Sequence, residues 1–349
     1  MARRIVGVDI GRDTIRAVEL ENADKARPVI SRFAEIGLPP NAVSSGEVRE
    51  LNTVAIAMRK LWSTGGFKSK HVVIGMGNQR VLARDLTVPK MGLQQIRESL
   101  PFQVQDMLPV PVSDALLDFY PLSEGLGEHG PVINGLLIAA IKDSVLVNIK
   151  AISQAGLTTS QVDLIPFALT RVLTRGQMAV GTVALIDIGA DTTSVVVASR
   201  GIPSFVRMMP SGGQDLTNAL MREVQASPEQ AEFIKRQRGI LVSSTASELE
   251  ARASEVSQEV THQLLSSLRN TLNFYTAGHQ GEIIQAVVLS GRGASLPGLA
   301  QSFGEMLGIP VVMSDPFANF DISRSARRAP VAERQSMTVA LGLALGSAA

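Results

Sequence analysis

Two stretches of the chain share one hydrophobic plan. Val8-Asp9-Ile10-Gly11-Arg12-Asp13-Thr14-Ile15-Arg16 and Ile186-Asp187-Ile188-Gly189-Ala190-Asp191-Thr192-Thr193-Ser194 each carry an apolar run into an aspartate, then Ile-Gly, then a short turn. A β-prone segment runs back in both, Thr14 to Leu20 and Thr193 to Ala198, so each copy predicts a hairpin with an acidic, glycine-containing tip. The copies lie about half a chain apart, a spacing that predicts two related domains facing each other and not a short-period solenoid.

Elsewhere the pattern separates into further elements. Ala286 to Ser290 reads as a buried strand, followed by a turn at Gly291-Arg292-Gly293-Ala294 and a helix start near Ser295 to Leu299. Leu82 to Pro89 predicts a strand, Gln94 to Met107 a helix, Leu116 to Leu122 and Val132 to Ile141 two strands, and Ser144 to Gln154 a helix. A small α+β module of order β-α-β-β-α-β results if Thr159 to Asp163 closes it. Ser227 to Gly239 reads as a helix, and Val256, Val260, Leu264, Leu265 and Leu268 mark the packed face of a longer one. The apolar segment from Met337 to Ala349 is interrupted by glycines and falls short of the roughly 20 residues that cross a bilayer; we read it as a helix packed back on the first domain.

Composition narrows the chemistry. A chain of 349 residues, 45% of them hydrophobic, holds more than one core and is too apolar for disorder. Its net charge of +1 gives no basis for nucleic acid as a partner, and the cluster Arg324, Arg327, Arg328 is too small to change that. Without cysteine there are no disulfides, thiolate metal sites or cysteine nucleophiles, and the four histidines, His262 and His279 among them, show no zinc-type spacing. The N-terminal MARRIVGVDIG meets Asp9 before any apolar run of signal-peptide length develops, so no export signal is expected.

Glycine-containing turns present backbone N–H groups as an anion-binding concavity, and two such tips can grip one polyphosphate. Asp9 and Asp187 would then face the same phosphates, an arrangement that calls for a divalent cation; Mg²⁺ typically bridges carboxylates and phosphates while keeping its waters. A single Asp-x-Gly tip is more often an ordinary hairpin turn, but duplication favours the ligand. Small residues at Gly291 to Ala294 let a flat ring approach the backbone, although a tight αβ connection has the same composition.

Three such motifs in this order resemble the phosphate-1, phosphate-2 and adenosine motifs of the actin, Hsp70 and sugar-kinase superfamily. Within it the chain most resembles the PilM and FtsA families, because Met209-Pro210-Ser211-Gly212-Gly213-Gln214-Asp215-Leu216-Thr217 matches their Gly-Gly-x-x-[IL]-Thr segment and Glu232 and Lys235 stand at their Ala-Glu-x-x-Lys spacing. The module after Val81 resembles their extra subdomain 1C, and Pro109-Val110-Pro111-Val112 and Ala155-Gly156-Leu157 resemble PilM in particular.

The resemblance implies an α/β, two-lobed actin-like ATPase fold of duplicated ribonuclease H-like domains. Residues 1–80, 163–180 and 335–349 would form subdomain 1A, 81–162 subdomain 1C, 181–216 with 284–334 subdomain 2A, and 217–283 subdomain 2B. It also implies ATP and Mg²⁺ as cofactors. Gly11, Arg12, Asp13, Thr14, Gly189, Ala190, Asp191 and Thr192 would lie at the phosphates, and Asp9 and Asp187 at the metal. Gly212 and Gly213 would come near the phosphates or ribose, and Glu232, Lys235, Gly291, Arg292 and Gly293 would flank the nucleoside.

The position that orients the attacking water in active relatives falls on apolar Ile165, with Asp163 two residues away as the weak catalytic candidate, so slow hydrolysis is expected. By the same resemblance the protein is cytoplasmic and peripheral to the inner membrane. It grips a PilN-like cytoplasmic N-terminal peptide in a groove between 1A and 1C, connects it to pilus motor ATPases, and is open to self-association. An FtsA-like division filament protein and a small-molecule kinase are the competing readings; an Hsp70-like chaperone would need a substrate-binding domain beyond the ATPase core.

Overall fold

Both predicted hairpins form, and each seeds a sheet of the same design. The computed structural model describes residues 4–241, 247–279, 281–324, 326 and 334–346; Arg327, Arg328 and the last three residues of the C-terminal apolar segment lie outside them. In the first sheet, β1 (Arg4–Ile10), β2 (Thr14–Glu21) and β3 (Val29–Gly37) form an antiparallel meander, and β6 (His71–Met76) and β10 (Thr158–Leu164) add in parallel on the β1 side. In the second, β11 (Thr182–Ile188), β12 (Thr193–Ser199) and β13 (Ile202–Met209) repeat the meander, with β14 (Ile284–Ser290) and β15 (Val311–Met313) in parallel beside β11. The short β16 (Asp321–Ile322) extends the first sheet beyond β3.

Three helices follow from the first lobe's remaining sequence. A small hairpin, β4 (Val43–Ser44) and β5 (Glu47–Val48), leads into α1 (Leu51–Gly65). The module comprises β7 (Val81–Pro89), α2 (Leu93–Gln103), β8 (Ala115–Gly127) and β9 (Gly130–Ile141), followed by α3 (Lys142–Gln154). Its sheet has three strands, β7-β9-β8, over a core of Val88, Ile96, Leu100, Phe119 and Leu137. Thr159 to Asp163 does not close it: β10 pairs with β6 instead, as the counterpart of β15 in the second sheet. The helix predicted to reach Met107 stops at Gln103, just after Pro101, whose missing N–H removes a helical bond, and continues only as a 3₁₀ turn.

The period-two alternation of the strands explains the layers. In β1, Val6 and Val8 face α1 and α3, whereas Ile5 and Gly7 face α4 (Ile165–Leu173) and α9 (Thr338–Gly346). In β11, Ala184, Ile186 and Ile188 face α7 (Glu248–Gly278) and α8 (Leu299–Leu307), whereas Val183 and Leu185 join the α4 and α9 side. One apolar core around α4 and α9 therefore serves both lobes. Every residue of α9 is buried, which explains why this segment is apolar all round, and the small Gly7 and Gly342 let it lie against β1 and α4. Two more helices, α5 (Gly213–Glu223) and α6 (Pro228–Gln237), pack with the N-terminal half of α7. Among the described residues no helix is long and apolar enough to cross a membrane.

Candidate functional site

Alternation places Asp9 and Asp187 on the inner faces of β1 and β11, at the ends where the two hairpins turn. The turns are built alike: Gly11 N–H donates to Thr14 O at 3.0 Å, and Gly189 N–H donates to Thr192 O at 2.9 Å. The second turn is also fastened to the start of α5, because Gly213 and Gln214 N–H donate to Gly189 O and Ala190 O, both at 2.9 Å. Gly212 has to be glycine there, since a Cβ would stand 2.5 Å from Ala190 O. These bonds bring Gly189, Ala190, Gly212 and Gly213 together.

Electrostatics sets the two aspartates apart from surface carboxylates. Burial pushes the Asp9 carboxyl above its usual range, and the Arg16 guanidinium, 3.2 Å away, pulls it partly back. Burial also raises Asp187, to about 6; the Ser290 hydroxyl counteracts this, repulsion from Asp9 adds to it, and Arg16 again lowers it. Asp9 is the register partner of Arg16, whereas Asp187 is flanked by Ser194 and Ser290. Arg16 also forms an ion pair with Glu35 at 3.4 Å, and Glu35 pairs with Arg292 of the opposite lobe. Among the described residues no cluster of three or more potential metal ligands occurs.

Beside these turns opens a cavity of about 470 Å³, lined by Ile188, Gly213, Lys235, Leu264, Gly293 and Leu296, among others. Gly291 takes φ +82°, and a Cβ on Gly291 or Gly293 would collide with the Ile188 backbone or side chain; the third glycine cluster thus packs on the end of β11 and forms one wall. On the opposite wall, Lys235 Nζ donates to Thr217 Oγ1 at 2.8 Å and Gly213 O at 3.1 Å and pairs with Glu232, while Thr217 Oγ1 donates to Glu232 at 2.6 Å. Burial opposes the Glu232 charge, but the bonds from Lys235 and Thr217 outweigh it and hold the carboxyl below its usual range.

Arg12 and Asp191, at the tips of the two turns, meet as an ion pair at 2.7 Å. Asp13 stands 3.7 Å from Arg12 Nε and is mostly exposed. Asp163 is committed elsewhere: its carboxylate pairs with Arg171 and accepts Leu164 N–H at 2.7 Å. Ile165 packs over Gly75 and Gly77. His279 stacks on Tyr275, with ring centroids 4.1 Å apart. Sequence reasoning missed Arg16, Glu35, Ser45 and Thr217 as parts of the site. Arg16 lies within the repeated segment and carried a readable signal, a cation opposite an inward aspartate; Glu35 and Ser45 arrive only through tertiary folding.

Two sheets built on the same five-strand plan, each turning at an Asp-Ile-Gly tip beside a shared cleft, define the actin-like ATPase fold. The structure aligns with MreB5 of Spiroplasma citri, solved with AMPPNP bound, at a TM-score of 0.53 and 10% identity over 98% of this chain and 95% of that one. It aligns far better with a PilM–PilN type IV pilus biogenesis complex, at a TM-score of 0.85 and 27% identity over 99% of this chain and 98% of that one. The family model for the type IV pilus assembly protein PilM matches residues 7–348, and the chain belongs to that family. It is also 23% identical over 271 residues to the cell division protein FtsA of Bacillus subtilis, covering 70% of this chain and 60% of that protein's length.

Proposed function

We propose that the protein is the nucleotide-binding component of a type IV pilus inner-membrane platform and that it holds Mg²⁺-ATP in the cleft. The observation that carries this reading is the pair of like-built turns beside the cavity, with Gly213 and Gln214 fastened to the second turn and Lys235 on the wall. The relatives solved with AMPPNP and with PilN point the same way. The nucleoside would occupy the cavity, with Glu232, Lys235, Arg292 and Gly293 around it, and the phosphates would run along Gly189 to Thr192 and Gly11 to Thr14.

Two buried carboxylates, both held above their usual range chiefly by burial, fit a divalent cation, and Asp9 and Asp187 would hold it, directly or through its waters. When bound, the cation neutralises charge on the phosphates. Arg16 orients the Asp9 carboxylate, and Ser290 stands beside Asp187 as its register partner. Apolar Ile165 and the committed Asp163 leave no side chain poised to activate water at the position implied by the resemblance, so hydrolysis is slow and the bound state acts as a structural signal.

In this reading the protein is cytoplasmic and reaches the membrane through a partner. An extended PilN-like N-terminal peptide docks between the first lobe and the three-stranded module, gaining main-chain hydrogen bonds and side-chain pockets, and the assembly is connected to the pilus motor ATPases. The test is calorimetric titration with Mg²⁺-ATP, alone and with a synthetic partner tail. Binding of both with slow turnover supports the proposal; binding of nucleotide without the tail returns the FtsA-like and kinase readings, and binding of neither removes it.

A further inference from the structure

Asp191, on the second turn, holds two separate elements of the first lobe. Its Oδ1 lies 2.7 Å from Arg12 Nη1, on the first turn 179 residues away, and its Oδ2 accepts Ser45 N–H, from the β4–β5 hairpin, at 3.1 Å. The pair is partly shielded, with 29% of the Arg12 side chain and 17% of the Asp191 side chain exposed. Ser45 has φ +51° and so presents its N–H from a strained turn that the neighbouring Gly46, at φ +72°, helps to form.

Gly212, Gly213, Arg292 and Gly293 line the cavity; Gly213 is bonded to Gly189 of the second turn, which continues from there through Ala190 to Asp191. A phosphate chain leaving the cavity therefore passes Gly189 first and meets Arg12 and Asp191 last. A phosphate at that point competes with Asp191 for the same guanidinium. It carries more charge than a carboxylate and offers the same two-oxygen geometry, so it is the stronger partner for arginine. The carboxylate also repels it, since both are anions.

We propose that Arg12 is a terminal-phosphate selector kept in check by Asp191: the third phosphate of a nucleoside triphosphate takes Arg12 from Asp191 and so loosens the Asp191–Ser45 link between the lobes, whereas a diphosphate stops short and leaves the link closed. This inference rests on the reading that the cleft holds a nucleotide. Arg12 sets the preference for triphosphate, and Asp191 reduces it in exchange for holding the lobes together.

The test is calorimetry with AMPPNP and ADP, each with Mg²⁺, on the full chain and on Arg12→Ala, Arg12→Lys and Asp191→Asn, all checked for unchanged thermal unfolding cooperativity. Arg12→Ala should weaken AMPPNP about tenfold or more and ADP by no more than about twofold, with Arg12→Lys between. Asp191→Asn should strengthen AMPPNP several-fold and leave ADP unchanged. In the unmodified protein, amide exchange at Ser45 should quicken with AMPPNP and not with ADP. If the protein binds neither nucleotide, the nucleotide reading itself fails and the selector with it. If it binds both, but Arg12→Ala weakens them equally or Asp191→Asn weakens AMPPNP, the nucleotide reading stands and the selector is overturned; variants that do not fold leave the Ser45 exchange measurement to decide.

Discussion

Arg16 and Asp9 face each other as register partners across the first hairpin, with Arg16 Nη1 3.2 Å from Asp9 Oδ2. The corresponding partner of Asp187 in the second hairpin is Ser194, so the duplicated site carries two inward carboxylates and a single guanidinium between them.

Replacing that cation leaves Asp9 buried without a counter-charge. Arg16→Met should destabilise the metal-free protein by about 3 kcal/mol at pH 8. Because the change raises the folded-state pKa of Asp9 further above its unfolded value, the loss should shrink as pH falls and Asp9 takes up a proton. Urea unfolding at pH 8 and pH 5 checks the sign; a loss larger at pH 5 would contradict it.

Asp187 shows the same linkage more directly. Its carboxyl is raised from 3.8 to about 6, so the stability of its neutral form is fully present below about pH 4 and is lost as pH rises through about 6. Asp187→Asn removes this titration. Without metal the variant should be more stable than the parent at pH 7.5, by up to about 3 kcal/mol, and should lose this advantage near pH 4. It should also bind Mg²⁺-nucleotide markedly more weakly, because a metal-facing carboxylate is gone. Thermal melts with and without Mg²⁺-ATP separate the two effects, and unchanged nucleotide affinity would count against the metal assignment.

Asp163 should prove structural. Asp163→Asn is expected to lower stability by about 1–3 kcal/mol, since it leaves the partly buried Arg171 without its charge partner. Single-turnover hydrolysis should stay slow in both proteins, below the roughly 1 s⁻¹ lower end of ordinary enzymes. A large loss of turnover in the variant would restore Asp163 as a catalytic group.

Gly7 and Gly342 offer a purely steric test. A Cβ at Gly7 would enter the backbone of α9 at Ala340 O, and one at Gly342 would enter α4 at Ala168 O. Either alanine substitution should cost about 3 kcal/mol or more, because overpacked backbone has no flexible side chain to yield. The urea midpoint measures this, and a shift near zero would mean that the helix packs differently.

What could be read from the chain was what lies close together in it. The Asp-Ile-Gly tips are each spelled out within a few residues, and their recurrence revealed both the pairing of the lobes and the inward Asp9 and Asp187. Thr159 to Asp163 reads as a strand but its neighbour does not follow from the pattern, because a largely polar edge strand fits equally well beside β6 and beside the module. Glu35 and Ser45 carried no signal at all. A glutamate in a strand and a serine in a loop acquire their roles only when Arg292 and Asp191 arrive from the other lobe.

The placement of α9 bears on how the molecule is made. The second lobe's sheet comes from one unbroken stretch, β11 through β15, covered on one face by α7 and α8 of that stretch and on the other by α4, which directly precedes it, so it can pack as that stretch leaves the ribosome. The first lobe begins earlier but keeps an open apolar face until residues 338–346 emerge and seal it against β1 and α4. The lobe translated first is therefore the lobe completed last, and a nascent chain has only one finished side of the cleft until then.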